Sequence, residues 1–248
     1  MSLLTSEAVV LRVYPLGEFD RIVVLYTRLL GKIRSVAKGA RRVRNRFSGC
    51  LEPFSWIEFV GFEKPGQELV RLDRAELRTA FALGIPDYET FLRFNLVAEL
   101  VLKTVPDHEP NDSLFRLIPQ VFSEMRVAGR SRLAQLYFQI WHLRLSGFLP
   151  QSLNCGACAG RLDKSMSVRL DIPRSVFLCP RCATGGPLLS GASVALWRSV
   201  LCRPVSQVGQ GEVSERAYSE IGEVMRALSV QAFEREFECL ELIREASL

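Results

Sequence analysis

Two groups of side chains in this sequence have the types and spacing to do chemistry. The first is four cysteines in two Cys-x-x-Cys pairs, Cys155-Gly-Ala-Cys158 and Cys179-Pro-Arg-Cys182, separated by twenty residues. Each two-residue turn brings two sulfurs to one side. Two such knuckles supply the four thiolates that a tetrahedral zinc ion needs at about 2.3 Å. The spacer falls in the range of zinc ribbons, and Gly156, Gly160 and Pro180 suit tight turns. Four thiolates leave no open coordination position. The expected cofactor is therefore a structural Zn2+ that holds together a segment without a core of its own. Disulfides or a redox pair are the other readings of this spelling. Seven cysteines, an odd count, argue against a disulfide framework.

The second group is a run of positive charge. Between Arg21 and Leu51 there are nine basic residues (Arg21, Arg28, Lys32, Arg34, Lys38, Arg41, Arg42, Arg44 and Arg46) and no acid. The chain has 32 Lys+Arg and 27 Asp+Glu, so outside this run 23 basic residues face 27 acids, a net of −4 against +5 for the whole. Such asymmetry points to a polyanion, nucleic acid first. A solvated loop is the plain alternative. Lys32, Arg34, Val36 and Lys38 alternate along one strand and fall on one face, roughly 7 Å apart. The loop Gly39–Phe47 then adds Arg41, Arg42, Arg44 and Arg46. Phe47, Phe54, Trp56, Phe59 and Phe62 follow. A basic groove with stacking faces is how single strands are bound without sequence preference. Only Phe47 sits inside the basic loop. Trp56, Val60 and Phe62 share a face and read as core, or as a surface docked on helices.

The elements that must position these groups follow from periodicity. The 248 residues are 48% hydrophobic and 24% charged, ordinary for a globular chain of one or two domains. Ala8–Val13, Arg21–Thr27, Lys32–Lys38, Ser55–Phe62 and, past Pro65-Gly66, Glu68–Glu76 read as five short strands. That count suggests a small closed barrel, either an OB-fold or an SH3-like barrel. At Ile85-Pro86-Asp87 the period changes from 2 to 3.6. Helices are expected over Tyr88–Val105, from Asn111 or Asp112 to Val127 with a kink or restart at Pro119, over Arg130–Ser146, from Ser214 to Leu228, and over Gln231–Glu245. Leu153–Leu189, rich in Cys, Gly and Pro, interrupts them. The expected architecture is α+β: a five-stranded barrel over residues 1–80, a helical bundle over 85–248, and an inserted four-cysteine zinc finger over 153–189. No apolar run is long enough to span a membrane. The first residues lack a basic region followed by an apolar one, so a cytoplasmic location is expected.

The string Ala8-Val-Val-Leu-Arg12 followed by Gly17-Glu-Phe-Asp20-Arg21 resembles the start of the RecO family of recombination mediators. Val36-Ala-Lys38-Gly39-Ala40-Arg41-Arg42, Arg46-Phe47 and Leu51-Glu-Pro53-Phe54 are similar to its most distinctive stretch. The resemblance selects the OB-fold. It implies binding of single- and double-stranded DNA, annealing of complementary strands, and a nucleoid-associated location. Its implied partners are RecR and the acidic C-terminal tail of single-strand binding protein (SSB), with loading of RecA onto SSB-coated DNA. Carried over by motif, Lys38, Arg41, Arg42 and Arg46 would contact DNA. Lys32 and Arg34 join them by the strand argument, and Arg44 by its place in the loop.

Other functions find little support. There is no phosphate-cradling Gly-x-x-x-x-Gly-Lys loop, no His-Glu-x-x-His and no Gly-x-Ser-x-Gly. His142 lies beside an apolar helical stripe, and His108 is the only other histidine. Ser35-Val-Ala-Lys38 spells Ser-x-x-Lys, but a strand points the two side chains to opposite faces. No enzyme and no small-molecule substrate are expected. A sequence-specific regulator or RNA-binding protein reading through the zinc ribbon is the alternative. It would need base-edge readers on a recognition helix, and the spacer offers only Arg161, Lys164, Arg169 and Arg174 against Asp163 and Asp171.

Overall fold

The computed structural model describes residues 2–47, 49–64, 66, 68–150, 152, 154–163, 166–209 and 213–246. Met1, Pro65, Leu153, Lys164 and Leu248, which the sequence reading uses, lie outside these. The chain folds as two compact units that divide between Arg126 and Val127.

The first unit begins with the five expected strands: β1 (Ser2–Leu16), β2 (Asp20–Thr27), β3 (Gly31–Ala37), β4 (Ser55–Glu63) and β5 (Leu69–Ala80). They close a barrel in the order β1-β2-β3-β5-β4, with β3 and β5 the one parallel pair. That is the connectivity of an OB-fold. β1 is far longer than its alternation suggests, because its first half pairs with β4 and its second half with β2. A bulge between Val10 and Arg12 lets one strand serve both neighbours. Ala8, Val10, Val23, Leu25, Ile33, Ile57, Phe59, Val70 and Leu72 fill the interior. Trp56, Val60 and Phe62 do share a face, but it is the outer one. The core set of β4 is the alternate residues Ile57 and Phe59.

Two helices complete this unit. α1 (Tyr88–Thr104) is N-capped by Asp87, which accepts from the Thr90 N–H, and it ends before Pro106. α2 (Asp112–Met125) is N-capped by Asn111 and continues without a break through Pro119, so it does not restart there. The ring removes one backbone donor, but Phe115, Ile118, Val121 and Phe122 around it are all buried. Their packing holds the helix. The change of period at Ile85 thus marks a change of element, while the compact unit continues to Arg126.

The second unit holds α3 (Ser131–Leu145), the short strands β6 (Val168–Asp171), β7 (Val176–Leu178) and β8 (Leu188–Leu189), then α4 (Gly191–Cys202), α5 (Glu215–Phe233) and α6 (Glu238–Ala246). α4 has no counterpart in the sequence reading. Its start is set by Ser190, whose hydroxyl accepts from the Ser193 N–H. α5 runs five residues past Leu228, and the left-handed Glu234 at its C-cap (φ 51) separates it from α6, which begins later than expected.

Candidate nucleic-acid interface and metal centre

The seventeen residues between β3 and β4 carry most of the basic run. Three apolar side chains of this loop, Ala40, Phe47 and Leu51, insert into the barrel core. The polar stretch 41–46 between the first two is forced outward as a bow. Arg41, Arg42, Arg44 and Arg46 on it are exposed, and Val43 at its apex is fully so. The base of the bow is clamped to the β1–β2 turn. The Asp20 carboxylate accepts from the Gly39 N–H at 2.7 Å, and the Phe19 carbonyl accepts from the Arg41 N–H at 2.9 Å. Arg41 also donates through Nη1 to the Gly17 carbonyl at 2.8 Å. Gly39 stands at φ +72, a left-handed turn that favours glycine.

The same geometry accounts for the rest of the distinctive strings. Arg21 pairs with Glu52 at 3.0 Å. Phe54, at φ 65, donates its N–H to the Val10 carbonyl. Its ring lies edge-on to Phe91, Phe94 and Phe122, which pins the loop's end to α1 and α2.

Of the seven expected DNA-contacting residues, six lie exposed on the outside of the barrel or on the bow: Arg34, Lys38, Arg41, Arg42, Arg44 and Arg46. Arg34, Lys38 and Arg44 make no ion pair among the described residues. Arg46 pairs with Asp73 at 3.2 Å, and Arg42 lies over the Phe19 ring at 5.0 Å. Lys32 must be corrected. It faces outward as the alternation requires, but the segment joining α1 to α2 covers it. Its ammonium donates to the Leu102 carbonyl at 2.8 Å and pairs with Asp107, leaving the side chain 13% exposed. The Lys32 carbonyl accepts from His108 N–H, and a Cβ on neighbouring Gly31 would meet the Glu109 backbone at 2.4 Å. Lys32 is a structural clamp. Phe47, expected as a stacking face in the basic loop, is a core residue at 3% exposure.

The sequence reading missed Lys64, Arg71 and Phe19. A groove of about 530 Å³ opens between the end of β3 and the β4–β5 hairpin. Lys38, Lys64 and Arg71 line it with Val36, Phe62 and Leu69, and Glu68 stands among them. These residues meet because β3 pairs with β5 across more than thirty residues of chain, Val36 beside Arg71. No local spacing announces that. Phe19, 44% exposed at the turn, was legible only as part of a motif.

The four finger cysteines converge as expected. Their sulfurs all lie within 4.8 Å of one another, with Cys158 and Cys179 at 4.0 Å. Thiolates at the corners of a zinc tetrahedron stand about 3.8 Å apart, so the cluster is compatible with a zinc site. The knuckle turns are held by Cys155 N–H to the Gly160 carbonyl and Cys182 N–H to the Cys179 carbonyl. Burial pushes the Cys155 thiol up, but N–H groups of Cys179, Cys158 and Ala157 and the Cys158 side chain outweigh it and bring it down to about 6. A thiol so placed readily becomes the thiolate a metal binds. At the base, Phe177 meets Trp197 of α4 edge-on at 5.4 Å. Residues 154–189 form three short strands and, among the described residues, no helix.

His142 is a bundle residue, as expected. It is 1% exposed, lies between Phe138 and Phe233, and burial lowers its pKa to about 4. Ser35 is buried while Lys38 is exposed, so the two do not meet. No helix among the described residues is long and apolar enough to cross a membrane.

Comparison with known proteins accounts for nearly the whole chain. Residues 1–81 match the family described as "Recombination protein O N terminal", and residues 85–236 match "Recombination protein O C terminal". The protein of Koribacter versatilis named DNA repair protein RecO is 41% identical over 158 residues, 64% of each chain. One of the same name from Anaeromyxobacter dehalogenans is 34% identical over 77% of this chain and 76% of its own. Another, from Desulforamulus reducens, is 26% identical over 98% of this chain and 94% of its own.

Proposed function

The chain belongs to the RecO family, whose role is DNA repair and recombination, and on that premise we propose that it is a mediator that binds DNA by its phosphates. The observation that carries this reading is the bow 41–46. Two buried anchors force four arginines into solvent beside Arg34 and Lys38, so six cations lie on or beside the barrel with only Arg46 paired to a carboxylate among the described residues. A surface of this kind neutralises phosphates without reading bases. It binds single and double strands of any sequence. Neutralisation also lowers the repulsion between two strands, so complementary strands held there anneal. Such work needs no catalytic group.

The family further points to RecR and the SSB tail as protein partners and to RecA loading as the outcome. The helices carry no motif sharp enough to place those contacts residue by residue. In the finger, Cys155, Cys158, Cys179 and Cys182 would hold a structural Zn2+, which supplies cross-linking and no reaction chemistry. The zinc-ribbon regulator reading loses its reader, because the described finger has strands where a base-reading helix would be needed.

The test is binding to labelled oligonucleotides of arbitrary sequence across a salt series. Five neutralised phosphates give a log–log slope of about −3.5 on single strands. Reversing Arg41, Arg42 and Arg46 to Glu should abolish binding with the fold intact. Unchanged affinity would remove the bow from the mechanism.

A further inference from the structure

The bow 41–46 has an internal order that charge neutralisation alone does not use. It leaves the end of β3, where Ala37 lies between Arg21 of β2 and Leu72 of β5. Three of its four arginines lean to these two sides. Arg41 donates to the Gly17 carbonyl and Arg42 lies over the Phe19 ring, so both are held on the β1–β2 turn. Arg46 pairs with Asp73 of β5 and lies over the Phe47 ring at 5.0 Å. Val43 stands between the two sides, fully exposed. It is the one apolar residue in Arg41-Arg-Val-Arg-Asn-Arg46. The apex that carries it is braced. Asn45 donates through Nδ2 to the Arg42 carbonyl at 2.9 Å, and its Oδ1 accepts from the Phe47 N–H at 2.8 Å. One carboxamide thus ties the rising arm of the bow to its falling arm. The Arg42 N–H donates to the Gly39 carbonyl at 3.0 Å and closes the turn below. An apex already fixed in this way loses little freedom when a ligand is bound.

Two groups of cations with an apolar side chain between them match the end of a duplex whose strands part. Each group neutralises phosphates of one strand, and the valine meets the last base pair. The interior of a duplex fits less well. A side chain inserted there must unstack a base step, and burial of one valine offsets only part of that cost. At a fork the outer face of the last pair is already uncovered, so the same contact unstacks nothing. A lone single strand has no pair for the valine to cover.

We propose that the bow recognises forked DNA, the point where two single strands enter a duplex, with Arg41 and Arg42 on one strand, Arg46 on the other, and Val43 capping the last base pair. The inference rests on the DNA-binding reading and adds to it a preferred form of DNA. A fork is the point at which two annealing strands zip together. A side chain that covers the last pair holds the newly formed duplex against reopening, and the arginines on either side hold the arms that have yet to pair.

The experiment titrates the full chain and its Val43→Ser variant with three DNAs of equal phosphate number. One is a forked duplex whose far end is closed by a hairpin loop, one a duplex closed by loops at both ends, and one a single strand. Burial of one valine is worth about tenfold in affinity. The expected result is that Val43→Ser loses about that factor on the fork and nothing on the closed duplex or the single strand. The salt slope stays the same on all three, because the cations remain. Val43→Leu keeps an apolar side chain at the apex and should retain the preference for the fork. Equal losses on all three DNAs, no loss on the fork, or a loss by Val43→Leu as large as that by Val43→Ser overturns the proposal. Val43 is fully exposed, so the fold is not at stake. If the fork preference fails while Arg41, Arg42 and Arg46 reversals still abolish binding, the DNA-binding reading survives without it. If the unsubstituted chain binds no DNA at all, that reading fails and the fork with it.

Discussion

The Asp20 carboxylate holds the N–H of Gly39 at 2.7 Å, so one acid in the β1–β2 turn fixes where the basic bow leaves the barrel. A hydrogen bond to a charged acceptor contributes about 1.5–3 kcal/mol. Asp20→Ala removes it and leaves a half-buried N–H without its acceptor. We expect a loss of about 1–3 kcal/mol in urea unfolding, with weaker DNA binding because the arginines are no longer held in one arrangement. Asp20→Asn keeps an acceptor oxygen and deletes a negative charge beside the cations. That variant should keep its affinity or gain slightly. Weaker binding by Asn as well as Ala would mean that the carboxylate does more than hold the turn.

Lys32 lies near the start of β3 and Lys38 just past its end, yet they should behave as different kinds of residue. Lys32 is clamped to the Leu102 carbonyl and Asp107, and Lys38 is exposed at the groove. Lys32→Met should cost stability, about 1–3 kcal/mol for the unmade contacts, and leave the salt slope of DNA binding unchanged. Lys38→Met should leave the melting temperature unchanged and reduce the slope by about 0.7, one phosphate on a single strand. Slopes measured over a salt series for both variants separate the two roles.

That contrast shows where sequence stops being legible. Alternation puts Lys32, Arg34 and Val36 on one face of β3, with Lys38 just past its end, because a strand's period is local. What covers Lys32 at one end of that face is a segment some seventy residues away, and no spacing within β3 reveals it. Phe47 misleads for a related reason. Its place in a charged loop suggests a stacking surface, whereas the loop needs buried anchors and Phe47 is one of them. The cysteines are legible because metal geometry requires a particular spelling. α4 is not, because it follows a segment whose Gly and Pro content hides the helix that begins at Ser190.

The finger predicts a separable dependence on metal. Purified chain should contain about one zinc per molecule by elemental analysis, and Cys158→Ser should lower that content. A small three-stranded element with four cysteines has little core to hold it without the ion. Chelation should therefore open residues 154–189 to protease while the barrel keeps its affinity for DNA. Loss of DNA binding on chelation would assign the finger a part in the interface.

Acid should loosen the second unit in two stages. His142 is buried between two phenylalanines with its pKa lowered to about 4. Between about 6.5 and 4 the unfolded chain binds a proton there and the folded chain does not, so stability falls as pH falls through that window. The loss is on the order of 2–3 kcal/mol. Glu220 of α5 acts lower. Burial raises its pKa, but Ser193, Ser190 and Arg216 outweigh this and hold it at about 2. It accepts from the Ser190 N–H and the Ser193 hydroxyl, both at 2.6 Å, and so ties the start of α4 to α5. Its contribution is complete above about 4.5 and is lost as pH falls toward 2. His142→Phe should preserve the ring stack and flatten the melting temperature between pH 6.5 and 4 while leaving the lower transition in place. Glu220→Gln should do the reverse, lowering stability at neutral pH and removing the transition below 4.5. Melting curves over a pH series decide the assignment, and a His142→Phe profile that still falls between 6.5 and 4 would place the first stage elsewhere.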